Sequence, residues 1–278
     1  WIANHAEDRA IMFDACFLPI VEEMAPKLKK MKHYIVLTDA ANMPASKIKG
    51  LIAYEDLIAR AGGKFEWKDF NENTACGLCY TSGTTGNPKG VLYSHRSNVL
   101  LALMAGQGGS MGLKPEDCVL PVVPMFHANA WGLAFTAPML GAKLVMPGPK
   151  LDGASVYELL ETEKVTATAA VPTVWLMLLQ YLEANNLQLS TLKRVLIGGS
   201  ACPRAMIETF ERKYGVDVTH AWGMTEMSPL GTMSHLKPGM EKLPREKKLD
   251  YKCKQGTAMF GVEMKITDDR NKPVPEDG

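Results

Sequence analysis

The feature that most constrains this chain is a repeated alternation. Short apolar runs rich in β-branched residues alternate with segments whose apolar residues recur at helical spacing, and the links between them are short. Residues 10–13, 34–37, 75–80, 118–123, 143–146, 166–171, 194–197 and 216–219 read as strands. Helical spacing covers 18–31, interrupted at Pro26, and 55–61, 131–140, 155–164, 173–184 and 203–214. Ser94 is placed to cap a further helix through Leu100, Leu101, Leu103 and Met104. Such alternation predicts an α/β fold, with largely parallel sheets covered by helices. Residues 1–74 and 75–254 form its two α/β portions. From Gln255 the pattern changes. Val262, Met264 and Ile266 alternate with Glu263 and Lys265, and Asn271-Lys272-Pro273 reads as a turn. Residues 255–278 therefore read as the start of an antiparallel β subdomain.

Ligands of open α/β sheets sit beyond the carboxyl ends of the strands. The loop after the 75–80 run is Tyr80-Thr81-Ser82-Gly83-Thr84-Thr85-Gly86-Asn87-Pro88-Lys89-Gly90. Its glycines let the backbone approach a ligand closely. Its hydroxyls, amides and Lys89 offer a phosphate many short donors and one mobile cation. It is not a Walker loop: Gly83 and Gly86 are too close, Pro88 precedes Lys89, and Gly90 stands where a hydroxyl is needed. A Gly/Thr surface loop is the plain alternative, which the position between a strand and a helix disfavours. Three more segments follow predicted strands: Pro124 onward, Gly198-Gly199-Ser200, and Trp222 onward. All four strand ends can converge on one cleft. There Glu226 suits Mg²⁺, which prefers one or two carboxylates together with phosphate oxygens. Trp222 offers a flat face for a base. His127 lacks the partners of a nucleophilic triad, and the remaining histidines lack metal-ligand spacing.

The 80–90 loop resembles the signature of the adenylate-forming superfamily of acyl-CoA synthetases, luciferases and peptide-synthetase adenylation domains. Trp222-Gly223-Met224-Thr225-Glu226 resembles its second signature, and Pro124-Met125-Phe126-His127-Ala128-Asn129-Ala130-Trp131 a third, in the same order and spacing over nearly the whole chain. The Asn-Ala-Trp and Val-Leu-Tyr-Ser-His-Arg runs look most like medium- and long-chain fatty-acyl-CoA ligases and 3-methylmercaptopropionate-CoA ligases. The resemblance implies ATP, Mg²⁺ and CoA as cofactor and co-substrates, and a small carboxylic acid as partner. The acid attacks the α-phosphorus of ATP, and a CoA thiol then attacks the acyl-AMP. The resemblance also assigns Lys89, Thr225 and Glu226 to catalysis. Nucleotide binding falls to Thr81, Ser82, Gly83, Thr84, Thr85, Gly86, Lys89, Gly199, His220, Ala221, Trp222 and Thr225. Thr81 and Glu226 hold the metal, while His127, Ala128 and Trp131 face the acyl group. Met139, Gly141, Ala142 and the 167–170 run offer apolar surface, which favours an unbranched, largely apolar acid over amino or aromatic acids. The chain reads as an internal part of a large N-terminal domain, without the small C-terminal domain. Alternatives are a nucleotide- or acyl-binding fragment without turnover, or a Walker-type ATPase or kinase, which the motifs disfavour.

The balance of 31 basic and 30 acidic residues, net +1, gives no global field for nucleic acid. No apolar run reaches membrane-spanning length. The Lys-rich stretch 237–254 also carries Glu241, Glu246 and Asp250 and reads as a solvated surface segment. Cys76 and Cys79 spell C-x-x-C inside a predicted strand. There they point to opposite faces and read as core packing rather than a redox or zinc pair. Free thiols suit a cytoplasmic protein, and a homodimer is a compatible assembly.

Overall fold

In the computed structural model, residues 1–82 and 86–274 are described. The chain divides into two compact units, Trp1–Asn71 with Ser82–Lys89, and Glu72–Thr81 with Gly90–Gly278. In the first, strands Ala10–Phe13 (β1), His33–Val36 (β2) and Leu51–Ala53 (β3) pair in parallel in that order. The short helices Ile2–His5 (α1), Leu18–Met24 (α2) and Tyr54–Arg60 (α3) accompany them. Phe13, Leu18, Val21 and Val36 form the small core of this unit. The helix expected over 18–31 is shorter: α2 tightens into a single 3₁₀ turn, Ala25–Lys27, where Pro26 supplies no amide, and Leu28 is extended.

The second unit opens with a two-stranded ribbon, Ala75–Thr81 (β4) and Lys89–Ser94 (β5). The 80–90 loop thus joins two strands and not, as expected, a strand to a helix. The β-rich Val91-Leu92-Tyr93 run extends along β4, and Gly90 lies so close to the Leu78 and Tyr80 side chains that a Cβ there would be 3.0 Å from Leu78. Ser94 then caps helix His95–Gly106 (α4), its hydroxyl accepting from the Ser97 amide at 3.1 Å. Cys76 and Cys79 lie on this ribbon, exposed and half-buried, and are not core residues. Cys76 Sγ accepts from Asn98 Nδ2 at 3.0 Å.

A seven-stranded sheet follows: Cys118–Pro121 (β6), Lys143–Leu144 (β7), Ala167–Ala170 (β8), Arg194–Ile197 (β9), Asp217–Gly223 (β10), Leu230–Met233 (β11) and Thr257–Ala258 (β12). Their order is β12-β11-β10-β9-β8-β6-β7, parallel from β10 to β7 and antiparallel at β11 and β12. Helices cover both faces, as the burial of successive residues requires. On one face, helices Gly153–Thr162 (α7), Pro172–Ala184 (α8), Arg204–Lys213 (α9) and Arg245–Lys252 (α10) bring Val156, Leu160, Trp175, Leu178, Phe210 and Leu249 onto Leu120, Val195, Ile197 and Val218. On the other, α4 and helix Leu133–Leu140 (α6) bring Leu101, Met104, Ala105 and Ala137 onto Val119, Ala167, Ala169, Leu196 and Ala221.

One further expectation is corrected. The 237–254 stretch is not a merely solvated segment. It contains α10, whose Leu249 is buried and whose Lys252 bridges Glu211 and Asp217 at 2.5 and 2.7 Å. Beyond Gln255 only β12 joins the sheet. Residues 262, 264 and 266 belong to no named strand among the described residues, but Thr267 and Pro273 form an isolated antiparallel bridge and the Val274 amide donates to the Ile266 carbonyl at 2.9 Å. Ile266 is left exposed. The turn at Asn271 forms, with φ +60°.

Candidate active site

The 124–131 segment follows β6. It contains a single left-handed turn, Ala128–Trp131 (α5), with φ values of 46°, 55°, 52° and 56° at successive non-glycine residues. The helix expected over 131–140 therefore starts only at Leu133, because α5 and α6 have opposite hands and Gly132, at φ +81°, joins them. L-residues resist this hand, at roughly 1–2 kcal/mol each. Burial opposes that strain: Ala128, Ala130 and Trp131 are all buried. Cys79 Sγ donates to Asn129 Oδ1 at 3.7 Å and ties the turn to β4. Trp131 is thereby laid over the backbone after β9. A Cβ on Gly198 would come within 3.2 Å of its ring and 3.0 Å of the Ala221 carbonyl. Gly199, at φ +80°, is crowded on its other side by Val171. Trp131, Gly198, Gly199 and Ala221 thus form one packed group, beside which Ala128 is buried and His127 exposed.

β10 runs further than expected, to Gly223. His220, Ala221 and Trp222 are strand residues and do not follow the strand. Alternation therefore divides them. Ala221 packs on the Trp131 face, whereas His220 shares the opposite face with Val218. His220 is 1% exposed and both its ring nitrogens lack partners among the described residues. Its amide donates to Ser234 Oγ at 2.9 Å. Trp222 rests against β11: a Cβ on Gly231 would be 2.9 Å from its ring. The β10–β11 register shifts between Trp222 and Gly223, and the chain then makes a 3₁₀ turn, Thr225–Met227, carrying Thr225 half-buried and Glu226 exposed. Tyr93, 2% exposed on β5, holds this turn with its hydroxyl, which donates to the Thr225 carbonyl at 2.6 Å. Burial foremost, and then Cys79, pushes the Tyr93 phenol well above its ordinary pKa, so it stays a donor. β4 ends at half-buried Thr81.

Ser82, Gly86 and Lys89 belong to the first unit and are exposed; Gly83, Thr84 and Thr85 lie outside the described residues. The sequence reading gave Tyr93 no role, although it lies in the Val-Leu-Tyr-Ser-His-Arg run that carries part of the resemblance. It also missed a polar cluster at the start of β6 and β9. There Asp117, 6% exposed, accepts from Thr166 Oγ1 at 2.7 Å, the Lys114 amide at 2.8 Å and Arg194 Nη2 at 2.6 Å.

The donors fit magnesium's preference in kind. Glu226 and Thr81 offer one carboxylate and one hydroxyl, hard oxygen donors that could hold magnesium while leaving most of its coordination shell to phosphate and water. Among the described residues no three His, Cys, Asp or Glu side chains cluster to hold a metal alone. No helix among them is long and apolar enough to cross a membrane.

Known proteins resemble this chain throughout its length. It is 47% identical over 278 residues to the medium-chain-fatty-acid–CoA ligase of Ectopseudomonas oleovorans, covering 100% of this chain and 51% of the relative. Identity is also 47% with the 3-methylmercaptopropionyl-CoA ligase of Ruegeria lacuscaerulensis, covering 100% and 52%. Among solved structures, the anthranilate CoA ligase AuaEII in complex with anthranoyl-AMP superposes with a TM-score of 0.84 at 25% identity, over 99% of this chain and 50% of that one. The chain thus spans about half the length of the curated relatives it matches. The AMP-binding enzyme family model matches residues 1–278, and the chain belongs to the AMP-binding enzyme family.

Proposed function

We propose that the full-length protein is an AMP-forming acid–thiol ligase. A carboxylate oxygen of the acid attacks the α-phosphorus of ATP, pyrophosphate leaves, and the CoA thiol displaces AMP from the acyl-AMP to give the thioester. The observation that carries this reading is the family match over residues 1–278, with CoA ligases as relatives at 47% identity. Fatty acids and methylmercaptopropionate are the substrate classes those relatives suggest.

Roles follow from chemistry. Lys89 and the hydroxyls of Thr81, Ser82, Thr84 and Thr85, with the backbone of Gly83 and Gly86, neutralise and orient the phosphates. Glu226 and Thr81 would hold Mg²⁺, which when bound screens the triphosphate charge. Thr225 orients a phosphate oxygen, and Tyr93 fixes the turn that carries Thr225 and Glu226. Ala221, Trp222 and Gly199 border the adenylate. For His220 we retain only the backbone, because its ring is on the opposite face of β10. Trp131, with Ala128 and His127 beside it, walls the acyl path over Gly198 and Gly199. No side-chain nucleophile is required, so catalysis rests on positioning and on charge. We also infer action in the cytoplasm, which six free cysteines support.

Acid-dependent ATP–pyrophosphate exchange by the full-length protein tests the reading. Exchange is expected with an unbranched acid and is expected to fall about 10²–10³-fold in Lys89→Ala and in Glu226→Ala. Absence of exchange with every acid tried would leave a binding protein without turnover.

A further inference from the structure

The chain is nearly neutral as a whole, with 31 basic and 30 acidic residues, yet folding separates its charges around helix α10. Both acids of α10 turn inward. Arg204 of α9 holds Glu246 through Nη2 and Asp250 through Nη1, each at 2.6 Å. Leu249 is buried in the core beside them, and Lys252 is held by Glu211 and Asp217. Helical spacing then leaves Lys247, Lys248, Tyr251 and Lys254 on the other side, three and four residues apart. Lys247, Tyr251 and Lys254 are exposed and Lys248 is half-buried. The Lys254 ammonium lies 5.1 Å from the centre of the Tyr251 ring, so the two share this face. The stretch leading into α10 adds exposed Lys237, Lys242 and Arg245, against one acid, Glu241, which accepts from the Gly239 amide at 2.6 Å. Lys237, Lys242, Arg245, Lys247, Lys248 and Lys254 have no ion-pair partner among the described residues.

A face of one sign on an otherwise balanced protein attracts an anionic partner. Shape selects among such partners. The face is the outer side of a helix and is convex, whereas a single phosphate needs donors converging from several sides. Nucleic acid is taken in a basic groove or by an element that enters a groove of the duplex. α10 is fastened at Glu246, Leu249, Asp250 and Lys252 and is not free to enter one. A broad anionic lipid surface fits a convex lysine-rich helix face, and an exposed tyrosine among lysines suits the headgroup layer.

We propose that the outward face of α10, with the 237–245 stretch leading into it, docks the protein on an anionic lipid surface by charge, with Tyr251 at headgroup level. An unbranched apolar acid partitions into such a surface, so docking brings the protein to its substrate. That consequence rests on the ligase reading above; the docking itself does not.

The test uses the full-length protein and vesicles of phosphatidylcholine alone or mixed with phosphatidylserine, with bound protein measured by flotation. Binding is expected to the mixed vesicles only, and to be lost between about 0.1 M and 1 M salt, as the screening length falls from roughly 10 Å to 3 Å. Each cation near such a surface changes partition about fivefold. Lys247→Gln should therefore weaken binding about fivefold, and the combination of Lys247→Gln, Lys248→Gln and Lys254→Gln about a hundredfold, with melting temperature as the control for folding. A second combination, Lys29→Gln, Lys30→Gln and Lys32→Gln, removes equal charge from another exposed site and should lose far less. No binding to mixed vesicles, or an equal loss in the second combination, overturns the proposal. Competition by inorganic phosphate beyond that of chloride at matched ionic strength overturns it in favour of a discrete phosphate site. RNA binding that the α10 variant loses, without vesicle binding, overturns it in favour of nucleic acid. Thioester formation from a water-soluble acid without vesicles reads the ligase assignment separately; its absence fails that reading and leaves flotation to decide the docking.

Discussion

Removing one oxygen at Tyr93 tests how the Glu226 turn is held. In Tyr93→Phe the ring keeps its buried place, and the 2.6 Å bond to the Thr225 carbonyl is lost together with the hydroxyl's contact to Cys79. A net hydrogen bond is worth about 0.5–1.5 kcal/mol. Because Thr225 is half-buried, water can reach the vacated carbonyl, so the lower half of the range for an abandoned buried acceptor applies. The expected loss is about 1 kcal/mol, or roughly 2–4 °C in melting temperature for a domain of this size. If the loss falls on the turn itself, the released population rises about fivefold. The kcat/KM for MgATP then falls less than tenfold, while KM for the acid is unchanged. The pH dependence has a definite sign. Burial raises the phenol pKa in the folded state above its ordinary value of about 10. The tyrosine's contribution is therefore full below that ordinary value and declines only as pH rises through the folded one. The gap between wild type and Tyr93→Phe should be flat from neutral pH to about pH 9. Urea denaturation and steady-state kinetics of the full-length protein measure both effects. Identical stability and identical MgATP kinetics would refute the role assigned to this bond, and a loss as large as that of Glu226→Ala would refute its magnitude.

Three further outcomes are expected. Gly223→Ala places a Cβ 2.0 Å from the Pro229 carbonyl oxygen, a backbone atom that cannot rotate away, and should cost about 2–4 kcal/mol in urea denaturation; an unchanged midpoint would contradict the hairpin geometry. Trp175→Ala empties a fully buried site beside Phe210 and frees the Ala170 carbonyl from its 3.1 Å bond, so about 3–5 kcal/mol should be lost in the same assay. Asp117→Asn removes a carboxyl whose pKa burial would by itself raise, but which Thr166, the Lys114 amide and Arg194 together hold below its ordinary value. The stabilisation from Asp117 is therefore present above about pH 4 and lost as pH falls through the lowered folded value. The variant should be about 3 kcal/mol less stable at neutral pH, and the gap should close only in acid.

Local chemistry explains which parts of this architecture were legible in advance. Strands β6, β8 and β9 are buried on both faces and read as continuous apolar runs. Helix α4 announced itself through Ser94, and α8 through its dense apolar spacing. The short partners β3, β11 and β12 did not, because a brief strand acquires its identity from its neighbour and not from its own period. α5 was not foreseen, and the helix over 131–140 was started at Trp131, because Ala-Asn-Ala-Trp carries no signal of handedness; Ala128, Ala130 and Trp131 are buried in this turn. Within the site, Glu226, Trp222 and Trp131 were visible as motif residues. Asp117 and Arg194 were not, since their proximity arises from pairing across β6, β8 and β9.

The left-handed turn also governs mutational tolerance. An ordinary buried helical turn accepts leucine readily and glycine poorly. At 128–130 the order inverts, because each L side chain larger than alanine adds crowding to a backbone hand that already disfavours its Cβ. The four residues together carry roughly 4–8 kcal/mol of unfavourable handedness, so little latitude remains for a branched replacement. Glycine would relax the backbone there but surrender the methyl group that Ala130 buries completely. In a saturation library, 129 should admit glycine and aspartate ahead of valine and leucine, while Leu133, one residue past the change of hand, should show the opposite ranking.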